Sequence, residues 1–388
     1  MPVTDPDRHE SIVQPGFGAV ADAFRRTLDD DGRTGATLAV WIDGQPTVEV
    51  WGGTADERRR REWSRDTLSV TFSCTKGIAA VLVGMLLERG DIPSLETPVA
   101  TIWPEFGAQG KEKITIADAL AHRAGVSAPR QNFTLAEALD GHSVAAALAD
   151  QEPLWAPGTT HSYHTLTYGF IVEQLILRAA GRTAGRFFAD QVAGPLDADA
   201  WMGLPPEYEH RVSLLVQDPS TAADLAGDAD AVRWVTQATT LGGAFPLTLI
   251  SPTGGFNDPL VHRAELAGAG VIATAGAIAR IWSATVTDTR GLRLISDETS
   301  KKLAAPRSTG KPHFATNPPP YPSWGSGMRI PTPSQPLLSP RSFGHDGAGG
   351  QLAFADPDAK VGFAYLTNRM ADGSRADHLV AALRRVIG

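Results

Sequence analysis

The stretch FSCTKGIAA, residues 72–80, puts Ser73 and Lys76 three residues apart at the head of the most apolar helical run in a 388-residue chain. Residues i and i+3 share one face of a helix. The Ser73 hydroxyl and the Lys76 amine would therefore lie within reach of each other. A serine needs a base before it becomes a nucleophile, and an amine held out of bulk water can be one. A helix start adds unpaired backbone N–H groups and the positive end of the helix dipole, which favour developing negative charge. The same pair also has a plain structural reading. Serine is a favoured N-cap, and a first-turn lysine can carry its stem out to the surface.

Two further segments could complete such a site. In WAPGTTHSYHTLTYGF, Tyr163 follows Pro157-Gly158 at a loop-to-helix junction, where a phenol can relay a proton between the serine and a leaving group. In FGHDGAGGQLAFADP, His345 and Gly347 stand at the start of a strand. A His-x-Gly segment on an edge strand can present a backbone N–H beside the serine. The N–H groups of Ser73 and Ala348 would then form an oxyanion hole, with His345 facing the cleft.

Other patterns carry less. No G-x-S-x-G occurs, so a nucleophile elbow is unsupported. GAGVIA, residues 268–273, fits a loose dinucleotide pattern but lacks a βαβ context, and it suits a small-residue turn before a helix. His161 and His164 flank Tyr163 without a third ligand at usable spacing, so lining the cleft or capping the helix is expected of them. Cys74 adjoins Ser73, points away from it around the helix, and reads as a small buried hydrophobe. No metal and no organic cofactor are implied.

The elements that must hold these residues can be read in outline. Residues 17–30 have helical periodicity; ATLAVWIDGQPTVEVWGG then reads as a hairpin turning at Asp43-Gly44. Near the other end, GQLAFADPDAKVGFAYLTN is a second hairpin and RADHLVAALRRVI an amphipathic helix. Hairpins need a common sheet to be stable. The expected fold is therefore α/β in the α+β sense: an antiparallel sheet flanked by helices and built from residues 1–98 and 250–388. Residues 99–249 would form a mainly helical insertion, since TIADALAHRAG, TLAEALDGHSVAAALAD, HTLTYGFIVEQLILRAAG and TAGRFFADQVAGPL all have helical apolar spacing. The run from Ser73 to Arg89 is apolar nearly all round, which marks a buried helix, and Gly90 suits its end. Ten of the 28 prolines fall between Pro306 and Pro340, so a loop lining the cleft is expected there, not sheet interior.

Composition excludes several classes. With 42% hydrophobic and 20% charged residues the chain is globular, and no run approaches a membrane span. The N-terminus is acidic and Pro-rich, without the features of a secretion signal, and the single Cys allows no internal disulfide, so a cytoplasmic protein is expected. A net charge of −8 argues against nucleic acid as a partner. The RRRR run at residues 58–61 has acidic flanks that nearly cancel it, and a solvated loop between strands is expected in preference to an anion contact. Oligomeric state leaves no mark in the sequence.

Taken together, Ser73-x-x-Lys76, Tyr163 and His345-x-Gly347, in this order and rough spacing, resemble the serine β-lactamase and penicillin-binding-protein superfamily. The resemblance is closest to class C β-lactamases and to family VIII carboxylesterases. It spans roughly residues 15–388 and extends through WGGTAD, LAHRAG and GAGVIATAGAIARI. It implies a hydrolase working through an acyl-enzyme on Ser73, with Lys76 and Tyr163 handling the proton. Two positions depart from the class C pattern. Thr165 stands where Tyr-x-Asn has its Asn, and His345-Asp346-Gly347 replaces Lys-Thr-Gly. The missing amide and ammonium are the groups that would hold a β-lactam's side chain and carboxylate. The expectation is a carboxylesterase acting on small-molecule esters. A β-lactamase, D-Ala-D-Ala-type peptidase or acyltransferase of the same fold, and a non-catalytic scaffold, are the alternatives.

Overall fold

The Asp43-Gly44 turn has both residues at positive φ, 48° and 75°, the combination that a tight two-residue hairpin uses. It joins the strands Gly35–Ile42 and Gln45–Asp56. The second expected hairpin pairs Gln351–Asp356 with Val361–Thr367. Val361–Thr367 in turn lies antiparallel to Gly35–Ile42, with Ile42 opposite Val361 and Ala36 opposite Thr367. The two ends of the chain thus fuse into one antiparallel sheet. The computed structural model that defines it describes residues 11–28, 32–218 and 225–388. The acidic N-terminal residues 1–10 lie outside the described residues.

Across the sheet the strand order is Ile12–Val13, Gln45–Asp56, Gly35–Ile42, Val361–Thr367, Gln351–Asp356, Phe343–Gly347, Arg329–Ile330 and Ser323–Trp324, with Arg61–Glu62 attached to Gln45–Asp56. The period-two pattern of each strand divides its side chains between two cores. Leu38, Val40, Phe354, Phe363 and Tyr365 face the terminal helices Gly18–Arg25 and Ser374–Ile387. Ala39, Trp41, Ala353, Ala364 and Leu366 face the helix Ala275–Ser283 and merge with the core of the helical region. Full burial of each large apolar side chain is worth about 1.5–3 kcal/mol, so these two faces, not local propensity, fix the register.

The helix Cys74–Arg89 is the centre of the second core, and Gly90 ends it at φ 79°. Helices of the middle segment, chiefly Thr167–Ala180, pack around it in one continuous apolar cluster. A three-stranded antiparallel sheet of Ser69–Val70, Val271–Ala273 and Ala200–Met202 links that segment to the start of the helix.

Several elements differ from the sequence reading. The first helix ends at Arg25, and residues 29–30 of its expected range are not among those described. The pattern in TLAEALDGHSVAAALAD splits at Gly141 into Leu135–Asp140 and His142–Asp150. The proline-rich stretch is not wholly loop. Residues 323–330, between Pro322 and Pro331, contain no proline, so their N–H groups can pair, and they form two short strands. His345 therefore lies in the middle of a strand two places in from the sheet edge, not at the start of an edge strand. In the RRRR run, Arg61 donates to the carbonyls of Arg211 and Val212, while Asp56 accepts from the main chain of Arg58 and Arg59. Among the described residues no helix is long and apolar enough to cross a membrane.

Candidate active site

Between the strand Ser69–Val70 and the helix Cys74–Arg89 the chain reverses within three residues. Phe72 takes the turn at φ 45°. Holding a non-glycine residue there costs about 1–2 kcal/mol. The Phe72 ring is buried against Phe256, centroids 5.1 Å apart, which offsets that cost by about 1.5–3 kcal/mol. The turn delivers Ser73 to the head of the helix. Its side chain makes no capping hydrogen bond, so the N-cap reading does not describe it.

Lys76 does not reach the surface either. Its side chain is fully buried, and Nζ donates to the main-chain carbonyls of Thr165 at 2.7 Å and Gly268 at 2.8 Å. The third direction faces the Ser73 Oγ at 3.1 Å. No carboxylate among the described residues forms an ion pair with it. Burial lowers its pKa to about 7, with only a partial pull upward from the Asp346 carboxylate. Near neutral pH an amine in this setting spends two N–H bonds on the two carbonyls and turns its lone pair to the serine hydroxyl.

Tyr163 precedes the helix Thr167–Ala180 by four residues, in a loop. Its ring stacks on Trp324 at 5.6 Å and lies 4.9 Å from the Lys76 Nζ. Burial pushes its hydroxyl well above the usual phenol range, against a weaker opposite pull from Ser73. It remains a neutral phenol, able to accept one proton and pass on another. Gly347 ends the His345 strand where a Cβ would stand 2.5 Å from the Thr71 carbonyl oxygen. Only glycine allows this close approach, which sets Ala348 beside the Ser73 turn. Among the described residues the N–H groups of Ser73 and Ala348 are not spent on hydrogen bonds within the protein. Cys74 is buried and its thiol donates to the His345 carbonyl at 3.3 Å, tying the same two segments together.

Ser73, Tyr163, Thr165, His345, Gly347 and Ala348 line one cleft of about 560 Å³, whose walls include Leu249, Phe314, Tyr321 and Trp324. Its size and lining suit a small organic molecule. His345 is 2% exposed; its Nδ1 bonds the Asp346 carbonyl, and burial holds it below the usual histidine range despite the adjoining Asp346 carboxylate. It brings no cation to the cleft at neutral pH. Asp346 is the single formally charged side chain lining the cleft among the described residues, with the Arg329 Nε 3.8 Å away. His161 lines the cleft, and His164 is buried with Nδ1 on the Ser162 carbonyl. Among the described residues no group of three or more His, Cys, Asp or Glu could hold a metal ion.

Sequence reasoning missed the role of Gly268. The GAGVIA segment leads into the antiparallel strand Val271–Ala273, and the Gly268 carbonyl is what it brings to Lys76. A Cβ on Gly169 would stand 2.5 Å from the Gly268 nitrogen. This glycine-to-glycine contact is what lets the two backbones close on the lysine. Thr165, too, serves Lys76 through its carbonyl.

A serine and an unpaired buried lysine at the head of a central helix, on a sheet made from both chain ends, define a serine hydrolase of β-lactamase fold. The comparisons with known proteins agree. The chain belongs to the Beta-lactamase family, whose model matches residues 20–386. The esterase/beta-lactamase LipL of Mycobacterium tuberculosis (strain ATCC 25618 / H37Rv) is 33% identical over 366 residues, covering 92% of this chain and 82% of LipL. A penicillin-binding protein homolog from Caulobacter crescentus superposes with TM-score 0.86 at 30% identity, over 97% of this chain and 99% of that one. A family VIII carboxylesterase superposes with TM-score 0.85 at 31% identity, over 97% and 99%. EstA from Arthrobacter nitroguajacolicus Rue61a gives 0.85 at 31%, over 97% and 98%.

Proposed function

We propose that the protein is a carboxylesterase of the family VIII type that cleaves small-molecule esters through an acyl-enzyme on Ser73. The observation that carries this reading is the Lys76 amine, fully buried, 3.1 Å from the Ser73 Oγ, with its other hydrogen-bonding directions taken by two carbonyls. Neutral Lys76 takes the Ser73 proton as Oγ attacks the ester carbonyl. The carbonyl oxygen becomes an oxyanion, held by the N–H groups of Ser73 and Ala348. Collapse breaks the bond to the alcohol oxygen, which takes a proton from the Tyr163 hydroxyl; the Lys76 ammonium replaces it. A water then attacks the acyl-enzyme, giving its proton back through the same pair, and the acid leaves as Ser73 regains its hydrogen.

The esterase names among the relatives support ester cleavage, and the LipL name carries a β-lactamase activity as well. The neutral His345 and the lack of a lining cation favour the ester. The test is covalent labelling. A fluorophosphonate should add once, on the peptide containing Ser73, and ester hydrolysis should vanish in Ser73→Ala. Labelling elsewhere, or full activity in that variant, overturns the reading.

A further inference from the structure

At and just beyond the end of the helix Ile116–Leu120, the carbonyls of Leu120 to Arg123 have left the helical ladder. Helix C-termini always leave carbonyls to be satisfied from outside. Here each one is used by a residue from later in the chain, one of which, Ser162, lines the cleft. The Leu120 carbonyl accepts from Gly327 N at 2.9 Å, and that of Ala121 from the Ser308 hydroxyl. The His122 carbonyl accepts from Ser162 N at 3.1 Å, and that of Arg123 from Gly158 N at 3.0 Å.

His122 does more than its neighbours. It is fully buried and held at φ 64°, a conformation uncommon outside glycine. Its carbonyl takes the N–H of Ser162, and its ring Nδ1 takes the N–H of His164 at 3.2 Å. Those are the two residues on either side of Tyr163. The imidazole ring itself lies 4.7 Å from the Tyr163 ring, which has Trp324 stacked on it as well. Backbone and side chain of one residue thus grip the tyrosine before it, behind it and across its face. With Nδ1 accepting, the ring proton belongs on Nε2, which has no partner in its buried site. An apolar side chain would fill the space without that orphan donor but could not hold the His164 N–H.

We propose that His122 is the positioning residue for Tyr163, setting the phenol where it can exchange protons with Ser73 and Lys76. The inference rests on the function proposed above. It assigns a role to a residue that touches no substrate.

The test is a double-mutant cycle on ester hydrolysis. His122→Ala removes the Nδ1 acceptor and should lower kcat by about tenfold or more, with KM changed less, since misplacing a reacting group by about 1 Å can cost a hundredfold. His122→Asn puts Oδ1 at the position of Nδ1 and tolerates positive φ; it should recover most of the loss. In a Tyr163→Phe background, His122→Ala should cost little more, because its effect passes through the missing hydroxyl. Thermal unfolding and fluorophosphonate titration of Ser73 give the folded, active fraction of each variant. Additive losses, or failure of a folded His122→Asn to exceed His122→Ala, would overturn the positioning role alone. Full activity in Tyr163→Phe by itself would instead overturn the proposed mechanism.

Discussion

The Lys76 Nζ lies 3.1 Å from the Ser73 Oγ and is held there by the carbonyls of Thr165 and Gly268, and among the described residues no carboxylate is in ion-pair contact with it. A buried lysine without a counter-ion is costly as an ammonium and cheap as an amine. Burial thus brings its pKa to about 7, which suits the base role proposed for it.

The pH profile should report this directly. On the proposed mechanism the amine acts in its neutral form, so kcat/KM for a neutral ester should rise with pH through about 7 and then level off. Lys76→Arg retains the charge but cannot release a proton at working pH, and it should lose at least about a hundredfold in kcat, with no such limb. A near wild-type Lys76→Arg, or a profile flat between about pH 6 and 8, would show that Lys76 is not the base.

Substrate preference follows from what the cleft lacks. His345 is buried and neutral, and Thr165 offers no carboxamide. Loss of a charge-assisted contact to a carboxylate costs about 1.5–3 kcal/mol, roughly ten- to a hundredfold in binding, before the missing amide is counted. Measured on one preparation with Ser73→Ala as the blank, kcat/KM for p-nitrophenyl acetate or butyrate should exceed that for nitrocefin by at least about a hundredfold. Equal efficiencies would return β-lactam hydrolysis to first place.

Acid should destabilise the fold through its buried histidines. Burial lowers the pKa of His122, His161, His164 and His345, that of His164 to about 4. Unfolded, each would titrate near 6.5. Between that value and the lowered one the unfolded chain binds protons that the folded chain refuses. Stability is thus present above about pH 6.5 and drains away as pH falls toward 4, by up to about 1.4 kcal/mol per pH unit for each histidine. Glu173, raised to about 8 by burial, pulls the other way over part of this range, but four histidines outweigh one carboxyl, so thermal midpoints recorded from pH 7.5 to 4 should fall; a constant midpoint would mean these rings are charged in the folded state.

Gly169→Ala tests the closeness of the two backbones behind the lysine. The added Cβ would stand 2.5 Å from the Gly268 nitrogen and must push that segment away. Overpacking of this kind costs about 1–3 kcal/mol of stability. The Gly268 carbonyl should withdraw from Lys76, so kcat should fall by about tenfold in the still-folded protein. Since a carbonyl favours the ammonium, its loss should move the acid limb to lower pH. Unchanged kinetics would mean the Gly268 contact is dispensable.

How far the sequence reveals this depends on what carries each feature. The two hairpins are legible because a turn such as Asp43-Gly44 needs particular residues locally. Ser73 and Lys76 are legible as a pair because helical spacing alone brings them together. Thr165 and Gly268 hold Lys76 through main-chain oxygens, which every residue type possesses, so no side-chain pattern marks them. The strands Ser323–Trp324 and Arg329–Ile330 are masked by the prolines on either side, although the proline-free interval between Pro322 and Pro331 could have suggested them. The seat of His345 inside the sheet depends on those strands and is hidden with them.

The fusion of Gly35–Ile42 with Val361–Thr367 also bears on how the molecule comes into being. During synthesis the first hairpin leaves the ribosome long before the strand that must lie beside it. Such a distant pairing carries a high loop-closure cost and slows folding. Ser73 comes from the early part of the chain and Ala348 from the late part, so the proposed nucleophile emerges well before the N–H proposed to stabilise its oxyanion. On the proposed mechanism a nascent or C-terminally truncated chain should be chemically silent, and activity should appear only when the last strands have joined the sheet.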